Sequence, residues 1–115
     1  MTYTTLLQTR GDTRKYRFQR VNADGSVIED TPDKLFFTVK KNFETEGFIF
    51  QKTLADFRID DEFVYHFIIQ PEDTESLKYG DYVYDIEVIT DGVVTTLAKG
   101  KFILEAEATW AVNQE

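Results

Sequence analysis

The 115-residue sequence contains no cysteine, so neither a disulfide nor a thiolate metal site can hold or operate the chain, and the redox compartment stays open. Basic residues are also short: 13 Lys and Arg stand against 21 Asp and Glu, a formal charge of −8. That balance repels a phosphate backbone and an anionic bilayer, so nucleic acid and membranes are not expected partners. No window reaches the ~20 apolar residues of a membrane span. The opening MTYTTLLQTRGD lacks both a positively charged start and a long apolar run, which leads us to expect a protein made in the cytoplasm. Helical periodicity is missing as well, since no apolar pattern with a 3.6-residue period lasts the ten or so residues a helix needs. There are no internal repeats, low-complexity tracts or linkers.

What is present points to strands. Hydrophobic residues make up 42% of the chain and aromatics 15%, chiefly Phe and Tyr, residues that suit a pleated, half-buried surface. TRKYRFQRV (13–21) alternates, with Tyr16 and Phe18 on one side and Lys15, Arg17 and Gln19 on the other. NADGS (22–26) supplies a turn, LFFTVK (35–40) a strand with Leu35, Phe37 and Val39 on one face, and NFETEG another turn. FIFQKT (48–53) reads as a short strand near an edge, guarded against pairing by one lysine, and EFVYHFIIQ (62–70) as a longer, more buried one. PEDTESLKYG (71–80) opens on Pro and acids and ends in Gly, suiting a loop with one helical turn. Turn signals recurring every ~8–12 residues are the spacing of sandwiches and barrels. The expectation is a single all-β domain over 1–115: an immunoglobulin-like antiparallel β-sandwich of about seven strands, its core at about 9–109, with residues 1–4 and 110–115 loose.

The segment GDYVYDIEVITDGVVTTLAKGKFIL (80–104) carries the sharpest expectations. Asp91-Gly92 between two strands favours a two-residue type I′ turn, because both residues tolerate positive φ. That turn places Val88 opposite Thr95 and Ile86 opposite Leu97. Uninterrupted pairing would then bring Lys99 and Lys101 into the core behind Tyr82, Tyr84, Ile86 and Val88. One unpaired residue restores the burial of Phe102 and Leu104, with Phe102 opposite Tyr82, and a glycine-bearing bulge at Lys99-Gly100 is the place expected for it. The competing arrangement is a strand that ends at Ala98 with another beginning at Lys101. Gly80-Asp81-Tyr82-Val83-Tyr84 has the form of a tyrosine corner, in which Tyr82 sends its hydroxyl back to the preceding loop. Tyr84 stands where antibody domains carry a disulfide cysteine, and LFFTVK holds no Trp, so the likeness to antibodies is architectural.

Chemistry-bearing residues are sparse. His66, the one histidine, lies on a strand between Tyr65 and Phe67 and is assigned to packing or surface. Ser26 and Ser76 fall in turn-like segments with no nucleophile elbow, so no catalytic residue is expected. Asn22-Ala23-Asp24-Gly25 resembles the start of a calcium loop, but Arg20 and Thr31 occupy positions that need carboxylates, so a hairpin turn is the better reading. The acidic groups 29–33, 60–62 and 72–73 read as solvated loop ends, although neighbouring loops could pool their oxygens. The glycines form no phosphate cradle, and neither metal nor cofactor is expected. Tyr3, Tyr79 and Trp110 fall outside the regular inward positions. They are candidates for contact with a partner subunit or, as in sugar-binding sandwiches, a glycan.

The order of these motifs is itself recognisable. GDT-x-K-Y-R-F-x-R-x-x-x-DGS from Gly11, FTVKK (37–41), EDT-x-x-L-x-YGDYVYDIEV (72–88) and DGVVTTLAKGKFILEAEAT (91–109) resemble small Ig-like β-sandwich proteins of tailed bacteriophages and prophages. The span of about 9–109 is similar to the amino-terminal domain of baseplate upper proteins, which anchors receptor-binding apparatus to the tail. The resemblance implies a non-enzymatic virion structural or adaptor component, made in the bacterial cytoplasm. It would dock on other phage structural proteins or on itself as a homo-oligomer. Modules of that kind usually lead into a longer chain, so ending at Glu115 this one is expected to act as a stand-alone piece. The matched positions are turn glycines and strand aromatics that serve the fold, and no binding residue is carried over. A carbohydrate-binding β-sandwich module is the alternative.

Overall fold

The structure is a computed structural model and describes residues 2–106. Nine strands form two sheets: β1 (Thr2–Tyr3), β2 (Leu6–Thr9), β3 (Arg14–Gln19), β4 (Lys34–Lys40), β5 (Phe50–Thr53), β6 (Arg58–Ile59), β7 (Val64–Ile69), β8 (Gly80–Thr90) and β9 (Val93–Glu105). A single 3-10 turn (Leu54–Asp56) follows β5, and a one-turn helix α1 (Pro71–Thr74) precedes β8. The larger sheet runs β1-β9-β8-β4-β5, with β2 continuing the β1 edge along β9; the smaller is β3-β7-β6. These neighbours are those of the C′-C-F-G and B-E-D strands of an immunoglobulin-like sandwich.

Alternation builds the interior. Leu35, Phe37 and Val39 of β4, Tyr65, Phe67 and Ile69 of β7, Tyr84, Ile86 and Val88 of β8, and Phe102 and Leu104 of β9 are all buried. Phe37 is the hub. Its ring centroid lies 4.7 Å from Phe67 of the other sheet, 5.7 Å from Tyr84, 6.2 Å from Phe50 and 6.5 Å from Phe102. On β3 the half-buried Tyr16 and Phe18 stack on Phe67 and Tyr65 at 5.4 and 5.0 Å. Such ring pairs add about 0.5–1.5 kcal/mol each beyond the area they bury.

Asp91 and Gly92 have φ of 51° and 78° and close the two-residue turn, with Thr90 opposite Val93 and Val88 opposite Thr95. The expected slip occurs, but not at Lys99-Gly100. Ile86 pairs with Ala98 and Glu87 with Thr96, which leaves Leu97 as the inserted residue. Tyr82 still meets Phe102, because a slip anywhere between the turn and Phe102 has the same effect on everything beyond it. Gly100 is needed for another reason: a Cβ there would run into the backbone carbonyl of Thr4. The Thr4 N–H donates to the Lys99 carbonyl at 3.1 Å, and the Tyr84 hydroxyl donates to the Thr4 carbonyl at 2.8 Å. Residues 2–9 are therefore not a loose end. β1 and β2 pair with β9 in parallel, so the larger sheet is mixed rather than wholly antiparallel. Leu6 packs on the core and Gln8 is buried, its amide donating to the Asp12 carbonyl at 3.1 Å. Paired segments of two and four residues are too short to display a period.

The strand expected at 48–53 begins at Phe50 and forms one edge of the larger sheet. The tyrosine corner is present, the Tyr82 hydroxyl donating to the Lys78 carbonyl at 2.7 Å beside Gly80 at φ 142°. Asn22–Ser26 is a hairpin turn: Val21 bridges Val27, and the Asp24 carboxylate accepts from the Ser26 N–H at 2.9 Å. The two hydrogen bonds from Ser26 hold the Asp24 carboxyl below its ordinary pKa.

Candidate docking surface on the larger sheet

Since β4 turns Leu35, Phe37 and Val39 inward, Phe36, Thr38 and Lys40 face out. The register places Glu87 opposite Phe36 and Asp85 opposite Thr38 on β8, and Gln51 opposite Thr38 on β5. Over this row folds the β4–β5 connection, residues 41–49, which brings Gly47 and Phe48 to the same surface. Together they line an open groove of about 330 Å³. Thr38 is its floor, only 8% exposed and accepting a hydrogen bond from the Gln51 amide at 2.9 Å. Phe36 and Phe48 form apolar walls, and Asp85 and Glu87 supply carboxylates.

The charges on this face are interleaved. Asp85 stands opposite Lys99, and the Lys101 ammonium is 4.0 Å from Asp81. Partial burial raises the Asp85 carboxyl above its ordinary pKa, against the opposing pull of Lys40 and Lys99. Lys99 also sits 5.6 Å from the centre of the Phe43 ring, and Tyr3 lies beside Lys99 across β1 and β9. Tyr3 and Phe43 thus lie at Lys99 and Phe48 lines the groove, the three exposed by 63%, 44% and 56%. This arrangement can seat a flat or ring-shaped surface on aromatic groups while Asp85, Glu87 and Gln51 take hydrogen bonds.

Of the aromatics picked out in the sequence, Tyr3 belongs to this surface. Tyr79 lies at the far end of β8, its ring under the Arg10 guanidinium at 4.1 Å, so the two do not share a site. Trp110 lies outside the described residues. Phe36, Phe48, Asp85 and Glu87 were not singled out. Alternation in LFFTVK already marks Phe36 as an outward aromatic, whereas Phe48 joins only through the fold of residues 41–49.

His66 faces outward on β7 and its Nε2 lies 2.9 Å from Asp60 Oδ2. The hydrogen bond to His66, with further bonds from the Val64 and Glu62 N–H groups, lowers Asp60 from 3.8 to about 2. Among the described residues, no group of three or more His, Asp and Glu side chains is placed to hold a metal ion, and no helix is long and apolar enough to cross a membrane.

The surface thus belongs to a β-sandwich that presents an aromatic and polar sheet face. No family model and no curated protein matches the chain. Among solved structures it is similar to the endo-beta-1,4-mannanase from Thermotoga petrophila, with a TM-score of 0.58 and 13% identity over 89% of this chain. The match spans 18% of the mannanase chain, and at that identity the likeness concerns the fold.

Proposed function

We propose that the chain is a non-enzymatic docking module of the bacteriophage tail or baseplate kind that its motifs resemble, engaging a neighbouring structural protein through the outer face of the larger sheet. The observation that supports this reading is the set of exposed aromatics, Tyr3, Phe43 and Phe48, on the face that carries the cross-strand pairs Asp85–Lys99 and Asp81–Lys101. Aromatics bury large area at low entropic cost and dominate interface energetics. Interleaved charges set orientation more than affinity. The test is decoration of purified phage tails by gold-labelled protein in negative-stain images. Wild-type protein is expected at a fixed position on the tail, and Phe43→Ala/Phe48→Ala is expected to be lost from it while keeping its fold. Failure of wild type to decorate tails, or undiminished decoration by the double variant, overturns the proposal.

The groove favours a second reading, a carbohydrate-binding module: apolar walls beside Asp85, Glu87 and Gln51 are groups that stack on a sugar ring and bond its hydroxyls. The structural neighbour is named for action on a β-1,4-mannan, so that polymer is the first to titrate. Saturable binding lost in both Phe36→Ala and Asp85→Asn would put this reading ahead of tail docking.

A further inference from the structure

The outer face of the smaller sheet is built differently. Tyr65, Phe67 and Ile69 of β7 point inward, so His66 and Ile68 face out. The register sets Arg17 of β3 on one side of His66 and Arg58 of β6 on the other, with Lys15 beside Ile68. None of Lys15, Arg17 and Arg58 has a side-chain hydrogen bond or ion pair within the described residues. The carboxylate nearest this row, Asp60, is engaged by His66, and Asp56 turns back to accept from the Thr53 N–H at 2.8 Å. A chain of net charge −8 thus carries a face on which Lys15, Arg17 and Arg58 have no carboxylate partner among the described residues.

The complement lies at one end of the same molecule. The β3–β4 and β6–β7 connections and the β8–β9 turn come together there: the Asp91 N–H donates to the Asp33 carboxylate at 2.9 Å, the Tyr65 hydroxyl to the Asp30 carbonyl at 3.4 Å, and the Gln19 amide to the Glu62 carbonyl at 2.8 Å. This end exposes Glu29, Asp30, Asp33, Asp61, Glu62 and Asp91 against Arg20 and Lys34.

We infer that the basic face of one copy docks on the acidic end of the next. Face-to-face pairing of two copies is opposed by charge, since it would set Arg17 and Arg58 against themselves. A face-to-end contact leaves an unused acidic end on one copy and an unused basic face on the other, so it propagates into rings or filaments instead of closing at a dimer. The inference deepens the docking reading by naming a partner, but it uses the opposite sheet, so either can fail without the other.

Sedimentation equilibrium of the full chain decides it. In about 20 mM salt, where screening is weak, the weight-average mass is expected to climb with concentration to more than twice the 13.4 kDa of one chain, and in about 0.5 M salt to return to that of one chain. Arg17→Glu/Arg58→Glu and Asp61→Lys/Glu62→Lys are each expected to remain at the mass of one chain in low salt, with circular dichroism reporting an intact fold. Their equimolar mixture is expected to regain the higher mass, because each supplies the charge the other has lost. A wild-type chain that stays monomeric in low salt, an association that stops at a dimer, or one that neither reversal diminishes overturns the inference.

Discussion

The two sheets solve the same problem, a pleated ribbon with one buried side, and end in opposite conditions. The larger sheet is finished at its β9 edge, where residues 2–9 add parallel strands, and its outer charges alternate, Asp85 facing Lys99 and Asp81 near Lys101. The smaller sheet has an uncovered strand on either side of β7, and its outer row, Arg17, His66 and Arg58, carries basic groups side by side. A face whose charges are matched internally selects a partner by shape and aromatic contact. An unmatched face attracts over a Debye length and answers to salt. Under the two contacts proposed above, the difference divides the labour of recognition between the two sides of one sandwich.

That contrast can be broken in order of expected effect. Phe37→Ala removes the ring that joins the sheets and should cost about 3–5 kcal/mol in urea unfolding, lowering the protection of both sheets together. Loss confined to the larger sheet would mean that the two are not one cooperative unit. Gly100→Ala attacks the finished edge alone: its methyl group must push the Thr4 carbonyl aside, at an expected cost of about 1–3 kcal/mol. Hydrogen exchange should speed first at Thr4 N–H, and an unchanged Thr4 amide would remove the reason given for this glycine. On the smaller sheet, Arg17→Glu replaces a cation by an anion in the row that carries Arg58. It should stabilise the isolated chain by about 0.2–1 kcal/mol, a gain that shrinks with added salt; a destabilisation would show that the basic row is already neutralised.

The smallest effect concerns acid. Asp60 titrates at about 2 instead of 3.8, so its contribution to stability is complete above its ordinary pKa and is lost as pH falls through about 2. Asp60→Asn should therefore flatten the decline in melting temperature between about pH 5 and about pH 2. The carboxylate is partly solvated, which keeps the effect modest, and an identical decline in the variant would deny the His66 bond any energetic role.

Much of the architecture was legible because strands write their orientation into a two-residue period. LFFTVK, YHFII and YVYDIEV each declare which side chains are buried, and Leu35, Phe37, Tyr65, Phe67, Tyr84 and Ile86 lie inside as that period requires. The Asp91-Gly92 turn and the Tyr82 corner are equally local: a two-residue loop and a bond spanning four residues depend on little beyond their own segment. The slip in the last hairpin could be deduced from the faces it must reconcile, yet its position could not, since a bulge at Leu97 and one at Gly100 bury the same Phe102.

The sequence by itself determined the fold class, the inward faces and the turns, because these follow from side-chain alternation and from φ preferences within a few neighbouring residues. Only the tertiary structure decided that residues 2–9 lie along β9, that Gly100 clears the Thr4 carbonyl, that Phe48 closes a groove over Thr38, and that Arg17, His66 and Arg58 form one row. Each of these is a lateral relation between segments far apart in the chain. The period of a strand says which way its side chains point but carries no information about which strand lies beside it.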